Sequence, residues 1–182
     1  MNDLNKPFKY THNNDLLHRD IKQENIMIKY IDSSKTKFIP KIADYGIAKE
    51  LINGKADTFL GTPGYMAPEI LIGEDDDYTD KSDLFSIGVM MYQFYFNSYP
   101  FDPHVKNKKK EVLKKNYNTK KKEDCEDIIL DDLLNKLLEY DPDKRISWEE
   151  YFAHPFFNHN KGVEDLNKKL EILRYMKKRN IK

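Results

Sequence analysis

Apolar residues fall along this chain in short runs and stripes separated by polar turns, and their spacing predicts the elements in order. Residues 1–15 are polar, carry Pro7 and an Asn-Asn-Asp cluster, and are expected to form a disordered lead-in. Ile26-Met27-Ile28 and the run from Phe38 to Ile42 are β-type segments joined by the turn-rich Asp-Ser-Ser-Lys-Thr-Lys, which predicts one small hairpin. Residues 47–59 read as loop with a turn at Asn53-Gly54, and Gly61-Thr62-Pro63-Gly64 breaks any helix there. Past Thr79 and Asp80, either of which can cap a helix, Leu84, Phe85, Ile87, Val89, Met90, Met91, Phe94, Tyr95 and Phe96 make the chain apolar nearly all round. Such a helix lies in the centre of a domain. Ile128 to Leu138 is amphipathic and is stopped by Asp141-Pro142. Val163, Leu166, Leu170 and Leu173 predict a final amphipathic helix over 163–178, within a helical tail 158–182.

Composition narrows the setting. A chain of 182 residues has room for one domain with a real core. Its 31 basic and 31 acidic residues cancel, so no global field draws it to nucleic acid or anionic lipid. Residues 106–122 carry nine lysines against one glutamate, but acids follow directly and Tyr117 is the lone aromatic there. That pattern is a solvated face, since a nucleic-acid platform interleaves aromatics with the charge. Cys125 is the single cysteine, which rules out an internal disulfide and fits a reducing compartment. No apolar leader opens the chain and no run of eighteen apolar residues crosses a membrane. The expectation is an intracellular, cytoplasmic domain without nucleic-acid or membrane partners.

The stretch Leu16 to Asn25, Leu-Leu-His-Arg-Asp-Ile-Lys-Gln-Glu-Asn, brings candidate chemistry. It places Asp20, Lys22 and Asn25 on a short loop, and a second acid, Asp44, follows in Ile-Ala-Asp-Tyr-Gly. Two carboxylates and an amide oxygen are hard ligands suited to Mg²⁺, which works with phosphates. The H-R-D-x-K-x-x-N spacing, followed by D-Y-G and by Ala67-Pro68-Glu69, closely resembles the motif set of protein kinases. Lys22, two residues past Asp20, and Thr62 in G-T-P-G-Y-M-A-P-E are similar to the serine/threonine type. The closing segment resembles autophagy-initiating and calcium/calmodulin-type kinases.

The resemblance implies a predominantly helical α+β fold: the large C-terminal lobe of a kinase over residues 16–157, with a small β-hairpin at the catalytic loop. It implies ATP and Mg²⁺ as cofactors and Ser/Thr-bearing proteins as substrates. Asp20 would accept the substrate hydroxyl's proton, Lys22 would face the transferring phosphoryl, and Asn25 and Asp44 would hold the metal. Met27 would lie under the adenine, although as a sequence feature it reads equally well as a core methionine. Thr58 would be the regulatory phosphorylation site, with Arg19 and Lys49 as its cationic partners. His18 and Tyr45 would stack, Glu69 and Arg145 would pair, and Asp83 would hold the catalytic loop's backbone. The first glycine is Gly46, so no Gly-rich loop precedes Asp20, and the small lobe with its strand lysine is absent. Two readings stay open: a fragment of a full kinase, or an impaired lobe kept as an interaction module. Either way, the chain alone is expected to be a poor enzyme whose exposed lobe face invites a covering partner.

Overall fold

The computed structural model describes residues 2–46, 48–50, 56–57, 61–72, 77–104, 125 and 127–157, with backbone alone at 2, 49, 50, 56, 57 and 77. The lysine run 106–122, Thr58 and the predicted helix 163–178 lie outside the described residues.

Helix α1, Asn2–Asn13, forms where a disordered lead-in was expected. Leu4, Phe8 and Thr11 recur at helical spacing and are 0, 1 and 6% exposed, so the segment has a buried stripe. Pro7 inside the helix removes one backbone donor, but burial of Leu4 and Phe8 outweighs that local loss. The Tyr151 hydroxyl donates to Asn5 Oδ1 at 2.9 Å, and the His12 ring stacks on Trp148 with centroids 5.4 Å apart. These contacts fasten α1 to the far end of the fold.

Strand β1, Leu16–Leu17, leads into the loop from His18 to Asn25. After a 3-10 turn at Gln23–Asn25 come β2, Ile26–Tyr30, and β3, Phe38–Ile42, paired antiparallel from Ile26↔Ile42 to Tyr30↔Phe38. This is the predicted hairpin. Asp32 closes its loop by accepting from Ser34, Thr36 and the Lys37 amide, which hold its carboxyl down at about 2. Two further ribbons appear where loop was expected. Strand β4, Lys49–Glu50, pairs with β1, and β5, Ala56–Asp57, pairs with β6, Asp77–Tyr78.

Helix α2, Pro68–Ile72, is short. Helix α3, Asp80–Phe96, is the predicted central helix: Leu84, Phe85, Ile87, Val89, Met90 and Met91 are all fully buried. It stops at Asn97, whose left-handed φ of 52° and 2.9 Å bond to the Gln93 carbonyl suit asparagine. Helix α4, Ile128–Leu137, is capped by the Asp127 carboxylate and buries Leu130, Leu133, Leu134 and Leu137. Helix α5, Trp148–Ala153, starts from a reciprocal Ser147–Glu150 capping box. The described residues mix five α-helices with three two-stranded ribbons.

α3 meets α4 at Gly88, where an added Cβ would stand 2.8 Å from Leu137 Cβ and 3.0 Å from Leu138 Cδ2. Alanine there gains about 1 kcal/mol of helix propensity. Overpacking costs about 1–3 kcal/mol, and Leu137 Cβ cannot rotate away. Gly88→Ala is therefore expected to lower the urea midpoint; a rise would show that the two helices part freely.

Candidate active site

The loop from His18 to Asn25 is held from below by one buried carboxylate. Asp83, near the start of α3, accepts the His18 amide at 2.7 Å and the Arg19 amide at 3.0 Å. Burial pushes its carboxyl up, and those amides with the His18 ring pull against that. The anchor offsets a strained backbone, because Arg19 sits at φ 64°, a left-handed conformation costing about 1–3 kcal/mol. His18 adds a second tie: its Nε2 lies 3.2 Å from the Ala43 carbonyl while Nδ1 accepts the Asp20 amide at 3.4 Å. The ring therefore carries its proton on Nε2. Tyr45 meets it with ring centroids 4.6 Å apart, tilted by 54° where stacking was expected, and is 43% exposed, so its hydroxyl is within reach of water.

Above this floor the polar groups converge. Lys22 Nζ donates to Asp20 Oδ2 at 2.6 Å and to Thr62 Oγ1 at 2.8 Å, and the Thr62 hydroxyl donates to Asp20 Oδ1 at 2.6 Å. Asn25 Nδ2 donates to the Asp20 carbonyl at 2.8 Å and to its carboxylate at 3.1 Å. Burial pushes the Asp20 carboxyl up, but the hydrogen bonds from Lys22, Thr62 and Asn25 outweigh it and hold the group below its ordinary value.

Asp44 arrives along β3. The Ala43 amide donates to the Asn25 carbonyl at 2.8 Å, which sets the residue before Asp44 directly against the loop. Asp44 itself is exposed, left-handed at φ 65°, and accepts the Gly46 amide at 3.3 Å. Asn25 makes its hydrogen bonds through nitrogen, so its amide oxygen is the atom left to ligate a cation. Among the described residues no three His, Cys, Asp or Glu converge as a metal cage. A cation at Asn25 and Asp44 would thus draw on phosphate oxygens and water, as Mg²⁺ does. The donor chemistry fits that ion. Met27 is 57% exposed on β2, which rules out the core reading and leaves an open apolar surface.

The structural pair forms as expected. Arg145, whose side chain is fully buried, reaches Glu69 through two parallel bonds of 2.7 and 2.8 Å. Arg19 is buried and its guanidinium lies 5.7 Å over the Tyr78 ring. The side chain of Lys49 lies outside the described residues.

Two contributions are not visible in the sequence. The Tyr65 hydroxyl lies 3.4 Å from Glu24 and 3.5 Å from the Gln23 amide, while Ser86 holds the Tyr65 carbonyl at 2.9 Å, linking loop to α3. Thr62, expected from the resemblance as a mark of substrate class and an activation-loop residue, closes the Asp20–Lys22 arrangement directly. The helix-breaking Gly-Thr-Pro-Gly around it is the available signal, since such a turn can bring a hydroxyl onto a distant loop.

Comparison with known proteins gives a consistent picture. The family model described as protein kinase domain matches residues 1–157, which includes α1 and moves the start of the resemblance forward from residue 16. The chain is 38% identical over 159 residues to serine/threonine-protein kinase cds1 of Schizosaccharomyces pombe, covering 81% of this chain and 33% of that one. It is 32% identical over 161 residues to serine/threonine-protein kinase ATG1b of Arabidopsis thaliana, covering 87% and 22%. Serine/threonine-protein kinase ULK3 of Xenopus laevis is 31% identical over 179 residues, covering 93% and 36%. The chain thus spans between about a fifth and two fifths of the length of these curated relatives.

Proposed function

Because this chain belongs to the protein kinase domain family, we propose that it is a serine/threonine phosphotransferase domain, moving the γ-phosphate of ATP to hydroxyls of protein substrates. One observation carries the reading: the Asp20 carboxylate is held between Lys22 at 2.6 Å and the Thr62 hydroxyl at 2.6 Å, with Asn25 alongside. In this role Asp20 orients the acceptor hydroxyl and takes its proton, which requires contact within about 2.6–3.2 Å. Lys22 places positive charge where negative charge spreads over the phosphoryl oxygens. Asn25 and Asp44 would hold Mg²⁺, whose charge offsets that of the phosphates. The exposed Met27 and Tyr45 mark the face for the nucleotide and for the element that covers it.

Residues 2–157 serve as the large lobe, with α1 as its leading helix. Thr58 is our assignment for the regulatory phosphate. The pairing of β5 with β6 supports it, since the Arg19 guanidinium lies over the Tyr78 ring, and Tyr78 pairs with Ala56, two positions before Thr58 in the sequence. Peptide mapping reads that position, and fully active protein bearing no phosphate there would remove it.

The test is calorimetric. A hydrogen bond or ligation to a charged group contributes about 1.5–3 kcal/mol. Asp44→Ala is therefore expected to weaken Mg-ATP binding by about 10–100-fold at 1.4 kcal/mol per decade. The effect should shrink when ATP is offered without Mg²⁺. Equal affinity in both proteins would exclude Asp44 as a metal ligand.

A further inference from the structure

The β2–β3 hairpin has an outer face that phosphotransfer leaves unused. Register pairs Met27 with Lys41 and Lys29 with Ile39, and the Ile31 amide donates to the Lys37 carbonyl at 3.1 Å, which adds Ile31 and Lys37 as a third pair. Partners in a pair share a face, and successive side chains along a strand alternate between faces. One face therefore holds Ile26, Ile28, Tyr30, Phe38, Pro40 and Ile42, all buried or half-buried. The other holds one apolar residue and one lysine in every pair, with no acid among them. Met27 is 57% exposed, Ile31 55% and Ile39 37%, and the three lysines are exposed with them. Among the described residues no salt bridge engages Lys29, Lys37 or Lys41. Asp32 at the tip is already held by Ser34, Thr36 and the Lys37 amide.

Met27, at the Asp44 end of the hairpin, is left to the nucleotide face. Beyond it, every neighbour of Ile39 on the outer face is a lysine: Lys29 opposite, and Lys37 and Lys41 along the strand. Ile31 sits beside Lys29 and across from Lys37. We propose that Ile31, Ile39 and these three lysines form a docking surface for a partner polypeptide, which presents a short amphipathic helix whose apolar stripe is bordered by aspartate or glutamate. A helix laid on the open face of a ribbon is an ordinary layer arrangement. Charge selects the partner, because three ammonium groups with no facing acid attract carboxylates and repel basic segments. The pattern favours a polypeptide over an anionic lipid surface. Membrane-surface segments gather their apolar residues on the side that enters the lipid and keep cations apart from them. Here apolar and cationic residues alternate along both strands, and the tip is Ser33, Ser34, Lys35 and Thr36.

The experiment titrates the full chain with two synthetic helical peptides of equal length and identical leucine stripe, one bordered by glutamates and the other by lysines, and separately with phosphatidylserine vesicles. Anisotropy of the labelled peptide reads affinity, and methyl NMR of the isoleucines reads where it binds. The expected result is binding of the glutamate peptide alone, with shifts at Ile31 and Ile39 and an affinity that falls as salt rises. Lys29→Glu combined with Lys37→Glu should weaken the glutamate peptide by roughly tenfold or more and make the lysine peptide the better ligand. Both positions are exposed, so this chain should melt as wild type does. Ile31→Ser, which keeps every charge, should also weaken the glutamate peptide. Failure of the glutamate peptide to bind, equal affinity for the two peptides, or an unmoved preference in the charge-reversed chain overturns the inference. Shifts confined to other isoleucines overturn the placement, and vesicle binding with neither peptide bound makes the face a lipid contact instead.

Discussion

Replacing Arg145 with methionine is expected to cost the fold about 3–5 kcal/mol, the usual result of removing one side of a buried ion pair. The guanidinium does more than pair with Glu69. Its nitrogens donate to the carbonyls of Glu139 at 3.0 Å, Lys81 at 2.8 Å and Tyr140 at 3.4 Å, and its plane lies 5.0 Å from the Phe85 centroid. One residue thereby joins the segment after α4, the start of α3 and the Glu69 turn of α2. Methionine matches the volume and removes every donor. Glu69 is left charged and largely enclosed, with the Ser82 hydroxyl at 3.2 Å.

A double variant separates charge from hydrogen bonding. Replacing both members of a buried pair by apolar groups is often neutral. Here Glu69→Leu with Arg145→Met should remain destabilised, because three carbonyls still lose their donor at about 1–3 kcal/mol for each that stays dry. Urea unfolding of the single and double variants reads this directly. A single-variant cost below about 1 kcal/mol, or a fully restored double, would reduce the pair to the standing of an exposed ion pair.

The same pair shows what the sequence carried well. Glu69 and Arg145 are 76 positions apart, and no periodicity connects them. They were legible because a motif resemblance brought both, as it did Asp20, Asn25, Asp44 and Asp83. The hairpin and α3 were legible from residues alone: β-type runs around a polar turn, and an apolar surface with no polar face. Helix α1 was not. Its buried stripe is two large residues and a threonine in a segment where polar residues such as Asn and Lys outnumber apolar ones, and Pro7 argued for a break. Tertiary burial against Trp148 and Tyr151, invisible locally, overrode that signal. The ribbons β1–β4 and β5–β6 are two residues long, below any usable period, and depend on segments far apart in the chain. Met27 shows the reverse case, where the residue alone permitted core or surface and only exposure decided.

Asp20→Asn should have the largest effect on function: phosphotransfer falling by about 10²–10⁴-fold, the usual contribution of a positioned base. Mg-ATP affinity should change little, since Asp20 is engaged with Lys22, Thr62 and Asn25 and the metal ligands proposed above are Asn25 and Asp44. The substitution keeps size and shape, so a reduced rate with unchanged affinity points to the proton-accepting step. Stability supplies an independent check with a definite sign. The folded Asp20 carboxyl lies below its ordinary 3.8, so ionised Asp20 contributes stability that is fully present above 3.8. That contribution disappears as pH falls through the folded value. Wild type should therefore be the more stable protein at neutral pH, and the gap to Asp20→Asn should close on acidification below 3.8. Paired urea titrations across that range, run beside transfer assays, test both limbs. An Asp20→Asn protein that keeps its transfer rate within about threefold of wild type sinks the base assignment, since the proton-accepting contribution starts at about 10²-fold. Wild-type protein that binds Mg-ATP and transfers nothing to any Ser/Thr protein makes the site a nucleotide-holding interaction module.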